Sequence, residues 1–361
     1  MKLIMVLFVV SLFFTAFSKH NFWPEKFYSI NHYREHADDT LKKRRQGSPL
    51  DHLPSNIEIL THFGERADFS PDNNSICFMA KSFGDAMVID LKTRNIRCLT
   101  CNVPAAAFLR VMHLPTGDYL LIGPDHFEDI RISRSRDNEL WFLSKERGSK
   151  PVKIGQKMSE GAVISKKNMR IAFSELPVHA PDLAPGASRL IVADLDVSGG
   201  VPKIINKKAV YESKDRSCTI EPQDFYDNET KITFSCYEPN DNASVMSIDL
   251  KSGDVNNHTK KPNTYNEVEG IFPDSKFTCV ESDRQCEWLG GHGSGQVDIW
   301  KLRLDGTGKD FVRITNFNDF EGGKASNPVI SSDGNFMAFQ YAKTTDPAGV
   351  GYGLLLYRFK K

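Results

Sequence analysis

The 361-residue chain has no net charge to speak of, with 46 Lys and Arg set against 46 Asp and Glu. General nucleic-acid binding needs a basic surface to displace phosphate counterions, so no nucleic-acid partner is expected. A second long apolar run is also missing. After residue 18 no stretch is long enough to cross about 30 Å of hydrocarbon. Cys98-Leu99-Thr100-Cys101 has no second cysteine pair at zinc-ligand spacing and no βαβ setting of a redox site, so a local disulfide is the reading. The glycines around Gly290-Gly291-His292-Gly293-Ser294-Gly295 do not form a phosphate-binding G-x-x-x-x-G-K-[ST] loop. They do not form G-x-S-x-G either, because His292 stands where the first glycine is needed. Frequent punctuation by 18 Pro and 25 Gly disfavours a helical bundle.

What is present begins at the N-terminus. Met1 and Lys2 precede the apolar run Leu3–Phe14, and Ala16-Phe17-Ser18 puts small residues at the positions a signal peptidase reads. Residues 1–18 are therefore expected to be a secretory signal peptide, and the product secreted and extracellular. Four glycosylation sequons agree with that route, at Asn73, Asn228, Asn242 and Asn257. Residues 19–55 lack strand alternation and form an N-terminal arm. Within it Lys42-Lys43-Arg44-Arg45 is either a processing site or part of a solvated segment. Seven cysteines leave at least one unpaired. The expected bonds are Cys98–Cys101, Cys218–Cys236 and Cys279–Cys286, with Cys77 as the free, inert thiol at a small buried position.

From residue 66 the chain repeats a unit of short strand, polar turn and apolar strand. The turns centre on Asp72, Thr116, Lys167, Asn228, Asp274 and Asp333, which fall 44 to 61 residues apart. Later strands with acidic ends follow, such as Met87–Leu91 and Leu190–Leu195. Four short strands at this period make a propeller blade. Phe69-Ser70-Pro71-Asp72, Ser331-Ser332-Asp333-Gly334 and Ile299-Trp300-Lys301-Leu302-Arg303-Leu304-Asp305-Gly306 resemble the repeats of TolB-type, WD-repeat-like β-propellers, over about residues 56–359. Copies two, three and four depart from the Asp-Gly turn.

The fold class expected is all-β: a single six-bladed propeller over residues 56–361. An open ring would leave raw sheet edges. The last copy lacks an outer strand, and Asn56–Thr61 ahead of the first copy is expected to fill that place and close the ring.

In such a ring the long loops share one rim: 123–138, 175–188, 281–296 and 341–353. Alignment of the copies puts Arg66, Arg110, Glu160, Glu221, Glu269 and Asn327 at the mouth of the central channel, basic on one side and acidic on the other. Such a mouth suits a polar or zwitterionic ligand. Glu175, Asp283, Arg284, Glu321 and Lys324 are further ligand-binding candidates on the rim. His126, His179 and His292 lie in the long loops among acids and could hold a divalent metal.

Two functions follow. The first is a secreted binding propeller for a small polar molecule, a glycan or an extracellular peptide segment, without catalysis. The second is what some propellers of similar repeat type imply: a metal-assisted lyase or hydrolase on an acidic carbohydrate. The three histidines would hold its ion, and Arg110 or Arg284 would engage a carboxylate. A peptidase is a weaker expectation, because the peptidases that carry such propellers add an α/β-hydrolase domain.

Overall fold

The computed structural model describes residues 41–346 and 349–360. The expected signal peptide and residues 19–40 of the arm lie outside the described residues. The chain folds as a six-bladed β-propeller built from six four-stranded antiparallel sheets. Blade 1 comprises Glu65–Phe69, Ser75–Met79, Ala86–Asp90 and Ile96–Cys98. Blade 2 comprises Arg110–His113, Tyr119–Pro124, Asn138–Leu143 and Val152–Lys157. Blade 3 is Ala162–Ile164, Arg170–Glu175, Ser188–Asp196 and Lys203–Ser213. Blade 4 is Thr219–Tyr226, Lys231–Glu238, Asn242–Asp249 and Val255–Asn257. Blade 5 is Asn266–Ile271, Phe277–Ser282, Asp298–Arg303 and Phe311–Arg313. Blade 6 takes Gly323–Ile330, Phe336–Lys343 and Leu354–Arg358 from the end of the chain. Its outermost strand is Ile57–Ile59, antiparallel to Leu354–Arg358 with Ile57 opposite Tyr357.

The first strands of neighbouring blades contact one another around the centre at the joints 1–2, 3–4, 4–5, 5–6 and 6–1. Each second strand is therefore sandwiched between two other blades, and both of its faces are buried. Cys77, Leu121, Ala172, Thr233, Cys279 and Ala338 occupy one register position, and all are completely buried. The next residues point to the opposite face. They are Phe78, Ile122, Phe173, Phe234, Val280 and Phe339, and they too are completely buried. A strand apolar on both faces reads as a continuous run rather than an alternation. Each joint between blades carries its own apolar cluster, such as Met112, Leu120 and Ile122 against Ile164, Ile171 and Phe173 between blades 2 and 3. Burial of one such side chain contributes about 1.5–3 kcal/mol.

Two disulfides form, Cys98–Cys101 and Cys218–Cys236. The expected Cys279–Cys286 bond does not. Cys279 faces the joint between blades 5 and 6, with Sγ 3.7 Å from Met337 Sδ. Cys286 sits in a short helical turn beyond the strand, with Sγ against Gln296 O. Cys77, Cys279 and Cys286 are thus all free, where one unpaired thiol was expected. The basic segment lies on the domain. The Arg44 guanidinium is half-buried and donates to Leu289 O and Gly290 O at 2.8 Å, and to Asn318 O and Oδ1 at 3.0 Å. That caps the C-terminal end of the turn Cys286–Leu289 and ties the arm to blades 5 and 6. Among the described residues no helix is long and apolar enough to cross a membrane.

Candidate functional site

The first strands line a central channel, and four of them kink at its mouth. Register shifts interrupt the pairing at Glu65/Asp68, Pro222/Asp224, Val268/Ile271 and Ser326/Val329. Such bulges re-aim side chains. At two of them the extra residue is left-handed without being glycine: Arg66 at φ 55° and Asn327 at φ 49°. That conformation costs of order 1 kcal/mol or more and persists only when neighbours hold it. They do so here. The Arg66 amide donates to Gln340 Oε1 of blade 6 at 2.8 Å. The Asn327 amide donates to Glu281 Oε1 of blade 5 at 2.5 Å. The Val268 amide donates to Ser235 Oγ of blade 4 at 3.0 Å. Gln340, Glu281 and Ser235 hold one repeat position, so the same device joins blade 4 to 5, 5 to 6 and 6 to 1.

The mouth brings together Arg66, Arg110, Glu160, Glu221 and Glu269, as the aligned copies suggested. Arg110 Nη2 lies 4.0 Å from Glu221 Oε1. Glu221 also accepts from the Tyr237 hydroxyl at 2.8 Å. Gly161, at φ 87°, makes room for it, since a Cβ there would fall 2.4 Å from Glu221 Cγ. Arg134, from the long loop of blade 2, forms a bidentate pair with Glu160. The Tyr265 hydroxyl donates to Glu267, and the single Tyr237 proton is shared between Glu221 and Glu267, both within hydrogen-bond reach of its oxygen. Arg66, Arg110, Glu269 and Asn327 line the upper part of a cavity of about 80 Å³ in the channel; Asp68, Lys166, Gln223 and Asp224 line it from the far side.

Two residues on this cavity each carry a buried polar atom without a hydrogen bond. Arg66 is 8% exposed, and its Nε has no hydrogen-bond partner; its closest acid is Glu65 Oε1 at 3.7 Å. Glu269 is 7% exposed, and its Oε1 has none either. Burial, reinforced by the negative charges of Glu281 and Glu267, pushes Glu269 well above the usual carboxylate range. Burial and Glu267 raise Glu281 to about 7. Burial works against the charge on Arg110, but Glu221, Glu269 and Glu160 outweigh it and raise its pKa. At the far end burial raises Asp224 to about 7, while Lys166 opposes the shift.

The other candidates lie elsewhere. Glu175 binds Lys207 Nζ at 2.5 Å and ties the outer part of blade 3 to Gln156 of blade 2. Asp283 is buried and organises its loop, accepting from Tyr265 N at 3.0 Å and Gly293 N at 2.8 Å. Arg284 stacks on Phe311, 4.5 Å from the ring centre. Glu321 is exposed, and its amide donates to Arg45 O. Lys324 stays close to the mouth, donating to Ser294 O at 3.1 Å and bearing on Glu281.

The histidine trio does not converge. His179 Nδ1 accepts from Leu176 N, and burial lowers its pKa to about 4. His292 sits 2.8 Å from Asp283 Oδ2 and 3.1 Å from Asn240 O, fastening the loop of blade 5 to blade 4. Among the described residues the donor sets that lie close together are Asp68–Cys77–His113 and Asp85–Cys98–Cys101, the latter with its two sulfurs joined in a disulfide. Neither contains His126, His179 or His292, because each of those loops leaves a different blade.

Sequence reasoning missed Glu65, Arg134, Tyr237, Tyr265 and Glu267 as mouth residues, and placed Glu281 only among the loop acids. Tyr237 follows Cys236 toward the end of a second strand, where the counterparts are of mixed character, Lys81, Asp125, Leu176, Asp283 and Ala342. Arg134 comes from a loop whose path alignment of strands cannot give.

No protein-family model matches this sequence, and no curated relative matches it. Solved structures do share its shape. A gluconolactonase from Xanthomonas campestris aligns at 10% identity over 88% of this chain and 94% of that one, with a TM-score of 0.53. A putative TolB from Agrobacterium tumefaciens aligns at 18% identity over 72% and 77%, with a TM-score of 0.48. The WD40 repeats of RRP9 align at 10% identity over 85% and 98%, with a TM-score of 0.46. At such identities the likeness is one of fold alone. The chain is a six-bladed β-propeller whose structural neighbours include TolB and WD-repeat propellers.

Proposed function

We propose that this protein is an extracellular binding propeller whose channel mouth takes a compact zwitterion, such as an amino acid or the terminus of a small peptide. The observation that carries the reading is that two residues lining one cavity, Arg66 and Glu269, each bury a polar atom, Nε and Oε1, that has no hydrogen bond. A buried polar atom without a hydrogen bond is costly, and a ligand with one group of each sign would supply both missing partners. A ligand ammonium beside Glu269 also favours its ionised form, which the protein alone opposes. A cavity of about 80 Å³ favours a small ligand over a long glycan; drug-sized pockets run to about 300 Å³ and more. Two disulfides and the N-terminal apolar run support an oxidising, extracellular setting. The exposed sequon Asn228, on a turn between strands, is open to a glycan.

The lyase or hydrolase reading is the less favoured, because the three histidines it relied on leave different blades, and His179 and His292 are engaged within their own loops. Thermal melting with glycine, methylamine and acetate tests the proposal. Glycine should raise the melting temperature, and the singly charged analogues should do little at equal concentration. Equal shifts for all three, or none for glycine, would overturn it.

A further inference from the structure

At the far end of the channel, away from the mouth, three potential metal donors meet between blades 1 and 2. Asp68 and Cys77 are directly cross-strand in blade 1. His113 ends the first strand of blade 2. All three are buried, and their donor atoms lie within 4.8 Å of one another. His113 is 4% exposed, and its Nδ1 has no hydrogen-bond partner. That nitrogen is 3.7 Å from Asp68 Oδ2. The Cys77 thiol has only Val111 O, at 3.6 Å.

The repeat provides an internal control. Asp68 accepts the His113 amide at 2.7 Å, and Asp224 accepts the Ile271 amide at 3.3 Å in the same way between blades 4 and 5. The latch needs only the aspartate. At the second joint the residues matching Cys77 and His113 are Thr233 and Ile271, which offer no thiolate or imidazole. Cys279 of blade 5 matches Cys77, but its joint supplies Gly270 and Ile330 in place of Asp68 and His113. The latch therefore explains the aspartate, but neither the cysteine nor the histidine beside it.

We propose that Asp68, Cys77 and His113 form a binding site for a borderline-soft divalent ion of the zinc class. A mixed sulfur, nitrogen and oxygen set suits that class rather than calcium or magnesium. Metal bonds of about 2.0–2.3 Å put tetrahedral donors about 3.3–3.8 Å apart, so closing on an ion takes shifts of about an ångström. Binding turns the Cys77 thiol into a thiolate and releases its proton, while His113 donates its Nδ1 lone pair and Asp68 one carboxylate oxygen. Lys166 Nζ holds the other oxygen, Oδ1, at 2.8 Å and fixes the carboxylate from outside. Of the three donors Asp68 borders the channel cavity, together with Lys166, so that is the side from which an ion and a water as fourth ligand would arrive.

The test is titration of the chelator-stripped full chain with cobalt(II), read by the sulfur-to-cobalt charge-transfer band and by X-ray absorption. Saturation at one equivalent is expected, with one sulfur and the remaining ligands nitrogen or oxygen. Cys77→Ala copies Ala172 and Ala338 at the same register, and His113→Ile copies Ile271, so both are expected to fold. Cys77→Ala should abolish the band, and His113→Ile should weaken binding at least tenfold. Cys279→Ala and Cys286→Ala should bind as wild type. No band in the wild type, no sulfur in the ion's shell, a band that survives Cys77→Ala, or one lost in Cys286→Ala would each overturn the proposal. The wild-type absorption spectrum decides the matter even if a variant fails to fold.

Discussion

The Arg66 amide and Gln340 Oε1, 274 residues apart in sequence, meet at 2.8 Å and join the first blade to the last. The bond sits beneath the channel mouth and holds Arg66 left-handed, so ring integrity and site geometry depend on the same contact. Gln340→Ala leaves the buried Arg66 amide without an acceptor, which costs about 1–3 kcal/mol. Gln340→Glu keeps an acceptor, as Glu281 does for Asn327 in the preceding joint. Chemical denaturation should show Ala clearly destabilising and Glu much less so. Equal effects would mean the side-chain acceptor is not what matters.

The outermost strand of blade 6 comes from the other end of the chain, and this seam is expected to hold the ring shut. Ile57 is buried against the cluster of blades 5 and 6 and faces Tyr357. Ile57→Asp puts a charge into that cluster and frees the edge of Leu354–Arg358. Lower thermal stability and concentration-dependent association should follow. A variant that melts and sediments like wild type would show that the strand is dispensable.

Repetition made much of this architecture legible beforehand. The six turns and the doubly buried second strands are written in local pattern, and each blade repeats the test. The mouth residues Arg66, Arg110, Glu160, Glu221 and Glu269 were legible for the same reason, because equivalent positions must share one radius. What failed depended on loop paths. His126, His179 and His292 looked alike in sequence, yet each follows the geometry of its own blade. Cys279 had already the signature of a core position; pairing it with Cys286 weighed short separation over strand direction.

The thiol count checks that correction directly. Alkylation of the unreduced chain in denaturant should modify three cysteines, mapped to Cys77, Cys279 and Cys286. Under native conditions Cys286, which is only partly buried, should react first. Modification of a single cysteine in denaturant would restore the Cys279–Cys286 bond.

Asp224 gives a pH prediction with a definite sign. Its pKa is about 7 when folded, against an ordinary value of 3.8, so the folded chain keeps a proton that the unfolded chain has lost. Its contribution to stability is present at low pH and fades as pH rises from about 4 toward 7. His179 and His258, both lowered to about 4 by burial, act in the opposite sense. Comparison with Asp224→Asn isolates the aspartate and keeps an acceptor for the Ile271 amide. The variant should gain stability relative to wild type between about pH 4 and pH 7, the span of the shift. A difference that stays constant with pH would show that Asp224 ionises as an ordinary carboxylate.

The most direct test of the binding account is calorimetric titration of glycine into wild type, Glu269→Gln and Arg284→Met. Arg284 lies on Phe311, outside the channel, and serves as the control. The account predicts saturable binding by wild type and by Arg284→Met, and at least a tenfold loss in Glu269→Gln, where the ammonium partner is gone. Unchanged affinity in Glu269→Gln, or an equal loss in Arg284→Met, would contradict a ligand seated between Arg66 and Glu269.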